Sequence, residues 1–283
     1  MKIFSFLLLW LYSGYGLSAP ALWSATKGDQ QLWLFGSIHL ADARLAKLPT
    51  ALAERLQRSE HLYLEINPHT VTPQLLAPFL TLPAAESWQT RLGSSLNSEL
   101  EHALAALNLS HLKTLPPWFA AMQLSQAHAK RQGFVSSQGV DMQLLQLAEQ
   151  QGFTVSGLES PTLVFELMAS LAERNLEQDF VRHSLTEQAE MAEHLELLFS
   201  TWQNGDEQAL LALLDDQGSP ALTDFISQEL LWARNKLWLA ELKRHAPTQA
   251  LIVVGALHLY GEQGLLELLK ADGYQLQKVR DNT

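Results

Sequence analysis

The chain has 283 residues, 47% of them hydrophobic and 17% charged, with 15 Gly, 11 Pro and no Cys. That is long and apolar enough to bury a substantial core, and it excludes a disordered or collagen-like chain. Nineteen basic against 30 acidic residues give a formal charge of −11, which argues against nucleic acid as a partner; without Cys, any metal must be held by His, Asp, Glu or backbone oxygen.

The chain opens on Met1-Lys2 and the apolar block Ile3–Tyr12 (IFSFLLLWLY), followed by the small, breaker-rich stretch Ser13–Ala21. A bilayer span needs about 20 apolar residues, so the block is too short for one. Its layout is that of a secretory signal peptide over residues 1–21. Ala19-Pro20-Ala21 places small residues for cleavage after Ala21; a cut after Ala19 would leave Pro20 next to it. The expectation is an exported protein, periplasmic or secreted, with no membrane span after signal cleavage.

Leu22–Ala25 and Gln31–Phe35 read as a strand pair turned at Lys27-Gly28-Asp29. Pro49–Arg58 has the spacing of an amphipathic helix, and His61–Ile66 alternates as a strand. From Pro73 to Ala148 the period is helical, most clearly over Leu96–Leu107, Trp118–Lys130 and Val140–Ala148. Phe153–Leu158 is a predicted strand, followed by helices over Ser160–Leu171, Glu177–Trp202, Glu207–Leu214 and Thr223–Arg244. Ala250–Val254 (ALIVV) is a continuous apolar run, as expected of a strand covered on both faces. Gly261–Ala271 reads as a helix and Tyr274–Val279 as a closing strand. The expected fold is a mixed α/β domain over residues 22–283. Its central, mostly parallel sheet is built from both chain ends (about 22–66, 153–159 and 250–279), with a large helical insert over about 73–245.

Two short motifs occupy matching places. Gly36-Ser37-Ile38-His39 follows the strand ending at Phe35, and Gly255-Ala256-Leu257-His258 follows the strand ending at Val254. In each, Gly permits a sharp turn and close approach, and His lies just past the carboxyl end of the strand, the edge where open α/β sheets bind ligands. Glu65 ends the strand His61–Ile66 in the same manner. If the three strands are parallel neighbours, His39, Glu65 and His258 converge. Two imidazoles and a carboxylate suit a divalent metal with open positions. Glu65 either completes such a site or serves as general base for water.

Leu32–Pro68 and Leu251–Val279 resemble the opening and closing blocks of the TraB/PrgY/GumN family, with Gly139-Val140-Asp141, Gly157-Leu158-Glu159 and Arg234-Asn235 resembling further signatures in order. That family is similar to the Tiki metalloproteases, which cleave the amino-terminal region of Wnt proteins, and more distantly to erythromycin esterases and the ChaN haem-binding proteins. The resemblance implies their shared α/β core and a site on His39, Glu65 and His258. It also implies a divalent ion (Mn, Co or Zn) and hydrolysis of a peptide or small-molecule substrate. The alternatives it leaves are a protein that sequesters a peptide or haem without cleaving it, and a metal-free esterase with a His general base.

Several further residues are candidates. Arg234 either stabilises an oxyanion or substrate carboxylate, or is a salt-bridged helix arginine. Asp141, at a helix start, is read as a capping carboxylate rather than a ligand. Glu159 is a candidate to support the site or to ligate, Arg44 to face the same cleft, and Tyr260 to donate a proton or to pack. No H-E-x-x-H, G-x-S-x-G, Walker or dinucleotide glycine motif occurs, which disfavours zincins, α/β-hydrolases and nucleotide-dependent enzymes.

Overall fold

The structure is a computed structural model that describes residues 20–215 and 217–279. The expected signal peptide lies outside the described residues except for Pro20 and Ala21. Ala21 is buried, and its carbonyl accepts the Gly36 N–H at 3.3 Å. Ala21, the last residue of the expected leader, thus packs with the folded body.

Six strands form one sheet: β1 (Leu22–Lys27), β2 (Gln30–Ser37), β3 (His61–Leu64), β4 (Thr154–Gly157), β5 (Gln249–Gly255) and β6 (Gln275–Lys278). Their spatial order is β4-β3-β5-β2-β1-β6. The pairs β4/β3, β3/β5 and β5/β2 are parallel, while β1 runs antiparallel to both β2 and β6. The sheet is mixed α/β and mostly parallel, and both chain ends build it. Gly28, at φ 57°, makes the β1–β2 hairpin turn in a conformation that favours glycine.

Parallel strands are stable only with both faces covered. Ala250 to Val254 of β5 are all buried, as are Leu62, Tyr63 and Leu64 of β3. The helix Thr50–Gln57 covers the sheet with Leu52 and Leu56, at the i, i+4 spacing that its sequence shows. Strands β3, β5 and β2 are consecutive, so their carboxyl ends, at Leu64, Gly255 and Ser37, share one edge.

The helices between β3 and β5 carry cores of their own. Leu96, Leu100 and Leu104 of the helix Ser94–Ala106 pack with Ala121 and Leu124 of the helix Pro117–Arg131. The buried Glu177 links elements there, with Arg91 Nε at 2.7 Å and the Trp118 N–H at 3.2 Å. The expected helix Glu177–Trp202 is two helices, Glu177–Thr186 and Met191–Asn204, broken by a 3-10 turn at Glu187–Ala189. The cause is packing: Val181 belongs to the insert's core, whereas Met191, Leu195, Phe199 and Trp202 pack on the sheet. One straight axis does not serve both. The predicted helix Thr223–Arg244 runs from Pro220 to His245 and contains a π-helical segment, Ile226–Ala233. Such segments disturb helical register locally and often accompany functional sites. Among the described residues no helix is long and apolar enough to cross a membrane.

Candidate functional site

The two glycine motifs touch. A Cβ at Gly36 would lie 3.0 Å from the Ala256 Cα and 3.1 Å from its Cβ, so the loops after β2 and β5 approach this closely only with glycine there. The buried Trp202 indole donates to the Gly36 carbonyl at 2.8 Å and holds the first turn from the insert side. Gly139 packs directly on the His39 backbone, which brings the start of the helix Val140–Gln151 to the first motif.

This docking decides the role of Asp141. It stands in the first turn of its helix, and its side chain reaches the first motif: Oδ2 lies 3.1 Å from His39 Nδ1 and Oδ1 accepts from Ser37 Oγ at 2.9 Å. Besides its place in the first helical turn, Asp141 orients His39. The His39 side chain is 61% exposed, with Nε2 directed towards Glu65 Oε1 at 3.6 Å. The Asp141 charge and hydrogen bond, with help from Glu65 and against Arg234, raise its pKa to about 9. By itself the ring is an imidazolium at neutral pH.

Glu65 lies just past β3, between the two motifs. Its Oε1 accepts the Gly255 N–H at 2.7 Å and its Oε2 accepts from Arg234 Nη2 at 2.6 Å. Burial opposes ionisation, but His258, His39, Arg234 and the Gly255 N–H outweigh it and hold the pKa at about 2. A carboxylate that acidic, with both oxygens engaged, is a weak proton acceptor; the geometry favours its role as a fixed anion over that of general base.

His258 is buried. Asn235 Oδ1 lies 2.7 Å from Nδ1, Arg234 Nη1 lies 3.3 Å from Nε2, and the Trp238 ring lies 4.3 Å from the imidazole between centroids. Glu65 Oε1 is 3.9 Å from Nε2. Burial, then the positive charge of Arg234 and His39, lowers its pKa to about 3 despite Glu65. The two motif histidines thus sit in opposite protonation states on either side of one carboxylate.

Arg234 supports this cluster from below. Nε and Nη2 donate to Glu159 at 2.9 and 2.8 Å, Nη2 also to Glu65, and Nη1 to the Leu230 carbonyl at 3.0 Å and towards His258. A guanidinium has five N–H groups, and all five are spent. Of the two roles expected of Arg234, the structure shows the salt-bridged helix arginine, paired with Glu65 and Glu159. Glu159 also accepts from the Trp238 indole at 2.7 Å, and burial raises its pKa against the pull of Arg234. It supports the site through Arg234.

Two candidates are not brought to the cluster. Arg44 pairs with Asp42 at 2.8 Å and Glu196 at 2.7 Å and lies over the Phe199 ring at 4.2 Å, tying the loop after β2 to the helix Met191–Asn204. Tyr260 is buried in the sheet core, with its pKa raised to about 12 by burial. It lines two cavities, of about 540 and 610 Å³, whose walls include none of His39, Glu65, Arg234 and His258. Sequence reasoning missed Ser37, Trp202, Asn235 and Trp238 as supports. Ser37 and Asn235 lie inside the motifs Gly36–His39 and Arg234-Asn235, whereas neither Trp carries a signal beyond an amphipathic face.

Among the described residues, no group of three or more His, Asp or Glu is arranged to hold a metal ion as it stands. The spans of 3.6 and 3.9 Å around Glu65 Oε1 exceed the roughly 3.0–3.4 Å between neighbouring donors about 2.0–2.2 Å from one ion. The chemistry of the donor set nevertheless suits a divalent cation. Both imidazoles have Nδ1 engaged and Nε2 turned towards one ionised oxygen, the arrangement that orients metal-binding histidines. Glu65 and Glu159 both pair with the one Arg234 guanidinium, at 2.6 and 2.8 Å, so carboxylates outnumber it there. The contact between Arg234 Nη1 and His258 Nε2 must loosen as such an ion enters.

The TraB/PrgY/gumN family model matches residues 21–278. Uncharacterized protein YbaP of Escherichia coli (strain K12) is 30% identical over 265 residues, covering 88% of this chain and 97% of that protein, and YbaP of Shigella flexneri matches to the same extent. No solved structure matches.

Proposed function

Because the chain belongs to the TraB/PrgY/gumN family, we propose that it is an exported metal-dependent hydrolase of peptide amide bonds, with His39, Glu65 and His258 holding a divalent ion, Mn, Co or Zn. The observation that carries this reading is the convergence of both motif histidines on Glu65 Oε1, at 3.6 and 3.9 Å. Such an ion supplies polarisation of a carbonyl and acidification of water. The protein's own groups prepare the place. Arg234 and the Gly255 N–H fix Glu65 as an anion, and Asp141 aims His39. Glu159 and Trp238 keep Arg234 from swinging out. Arg234, paired with Glu65 and Glu159, would position the anion beside the ion, whose chemistry there would be that of a Lewis acid. A metal-free esterase with His39 as base fits less well, since Asp141 and Glu65 keep that ring protonated at neutral pH. Export rests on the leader-like segment Met1–Ala21.

The test is digestion of an unbiased peptide library with added Mn²⁺, Co²⁺ or Zn²⁺ against a chelated control. Cleavage is expected only with the ion, and is expected to fall to the chelated level in His39→Ala, His258→Ala and Glu65→Gln variants with unchanged circular dichroism. The reading fails if no library is cut and neither histidine variant alters bound metal. Retention of intact peptide, or a Soret band on addition of haem, would replace it with sequestration.

A further inference from the structure

One helix holds the His258 imidazole from three sides. Within Arg234–His245, Asn235 meets Nδ1, Arg234 meets Nε2, and Trp238 lies against the ring. The orientation of the Asn235 amide follows from its second contact: Nδ2 donates to the Gln263 carbonyl at 2.9 Å, and a carbonyl can only accept. Oδ1 is therefore the atom that faces His258, 2.7 Å from Nδ1, and Oδ1 has no proton to give. Nδ1 must carry the hydrogen. A second constraint agrees, because a guanidinium N–H only donates and so requires Nε2 to be the accepting nitrogen. That contact is longer, at 3.3 Å, so the shorter Asn235 bond is the stronger determinant. Asn235 is itself buried, 1% exposed, and its amide is held by these two partners.

We infer that Asn235 is a positioning residue: through Gln263 it locks His258 in the neutral Nδ1–H tautomer and so keeps a bare Nε2 lone pair turned towards Glu65. The tautomer is a property of the fold itself. Its use, as the lone pair offered to an ion, rests on the proposed function. A ring with its proton on Nε2 would instead present N–H to Arg234 and to the ion position, and could not ligate there.

The experiment is long-range ¹⁵N–¹H spectroscopy of chelated, ¹⁵N-histidine-labelled protein, with the His258 signal identified by its loss in His258→Gln. The wild type is expected to show a neutral ring protonated on Nδ1. Asn235→Leu is expected to move His258 to a mixture of tautomers and to weaken Mn²⁺ or Zn²⁺ binding about 10–100-fold, the usual cost of removing a group that orients a metal-binding histidine. Asn235→Asp keeps an acceptor in place and is expected to retain the Nδ1–H signal. The inference is overturned if wild-type His258 carries its proton on Nε2, or if folded Asn235→Leu gives an unchanged His258 spectrum. Should Asn235→Leu fail to fold, the wild-type and Asn235→Asp spectra still decide. If the tautomers behave as expected but neither ion binds, the positioning role stands and the metal-dependent function falls.

Discussion

The Arg234 guanidinium and the Glu65 carboxylate meet at 2.6 Å at the carboxyl edge of the sheet, the first delivered by a helix after a π-helical segment and the second by the end of β3. Both are largely withdrawn from water, so each is tolerable there because of the other. The pair makes Glu65 a permanent anion between two histidines.

Removing the guanidinium should therefore cost stability before it costs chemistry. Arg234→Met leaves Glu65 and Glu159 without their cation, and breaking a buried pair from one side costs about 3–5 kcal/mol. Urea denaturation should show that loss. Arg234→Met combined with Glu159→Gln should recover part of it, because one orphaned charge is then gone. An unchanged denaturation midpoint in Arg234→Met would contradict the clamp.

The histidines predict opposite pH effects on the chelated protein. His39 is raised from 6.5 to about 9, so its stabilising contribution is complete below pH 6.5 and is lost as pH rises through 9. His258 is lowered to about 3, so its contribution is present above pH 6.5 and is lost as pH falls towards 3. Glu65, lowered to about 2, adds to the acid loss below its ordinary value of 4.5. Denaturation midpoints across pH should thus fall on both sides. His39→Asn should flatten the alkaline limb and His258→Gln should soften the acid one.

Ion binding should expel the His39 proton, because the same Nε2 cannot hold both. Calorimetry of Mn²⁺ or Zn²⁺ binding at pH 7 in two buffers of different ionisation enthalpy should report about one proton released per ion. Asp141→Asn, which removes the main charge holding that proton, should reduce the release. Equal heats in both buffers for the wild type would count against His39 as a ligand.

Gly36→Ala should destabilise by about 1–3 kcal/mol, the usual cost of overpacking, since its Cβ would meet the Ala256 backbone at 3.0 Å. Gly255→Ala meets Glu65 Oε1 at 3.2 Å instead, and that carboxylate cannot retreat without leaving Arg234. Thermal melts and ion titrations should separate the two: the first variant loses mainly stability, the second mainly ion affinity.

Whether the leader-like segment is removed, and where, is testable by mass. Cleavage after Ala21 would take away the acceptor of the Gly36 N–H and place a charged amine on the buried Leu22. The intact mass of exported protein should correspond to a chain that retains Ala21; a mature chain starting at Leu22 would refute the packing argument.

Much of this architecture is local, and so was readable along the chain. The apolar run Ala250–Val254, the alternation around Leu62 and Leu64, and the glycines that end β2 and β5 each record a constraint that acts within a few residues. Together they indicate strands with functional groups at their carboxyl ends. Whether those ends would meet, and which partners their side chains would choose, depends on distances between residues far apart in sequence. Asp141 has the sequence context of a helix cap and serves as the partner of His39, because Gly139 docks on the His39 backbone. Arg234 has the chemistry of an oxyanion binder, yet folding commits its five N–H groups to Glu65, Glu159, Leu230 and His258. Periodicity reports which face a residue turns inward; only the packed structure decides what it meets there, because a buried polar group must be satisfied by whatever the tertiary fold brings within about 3 Å.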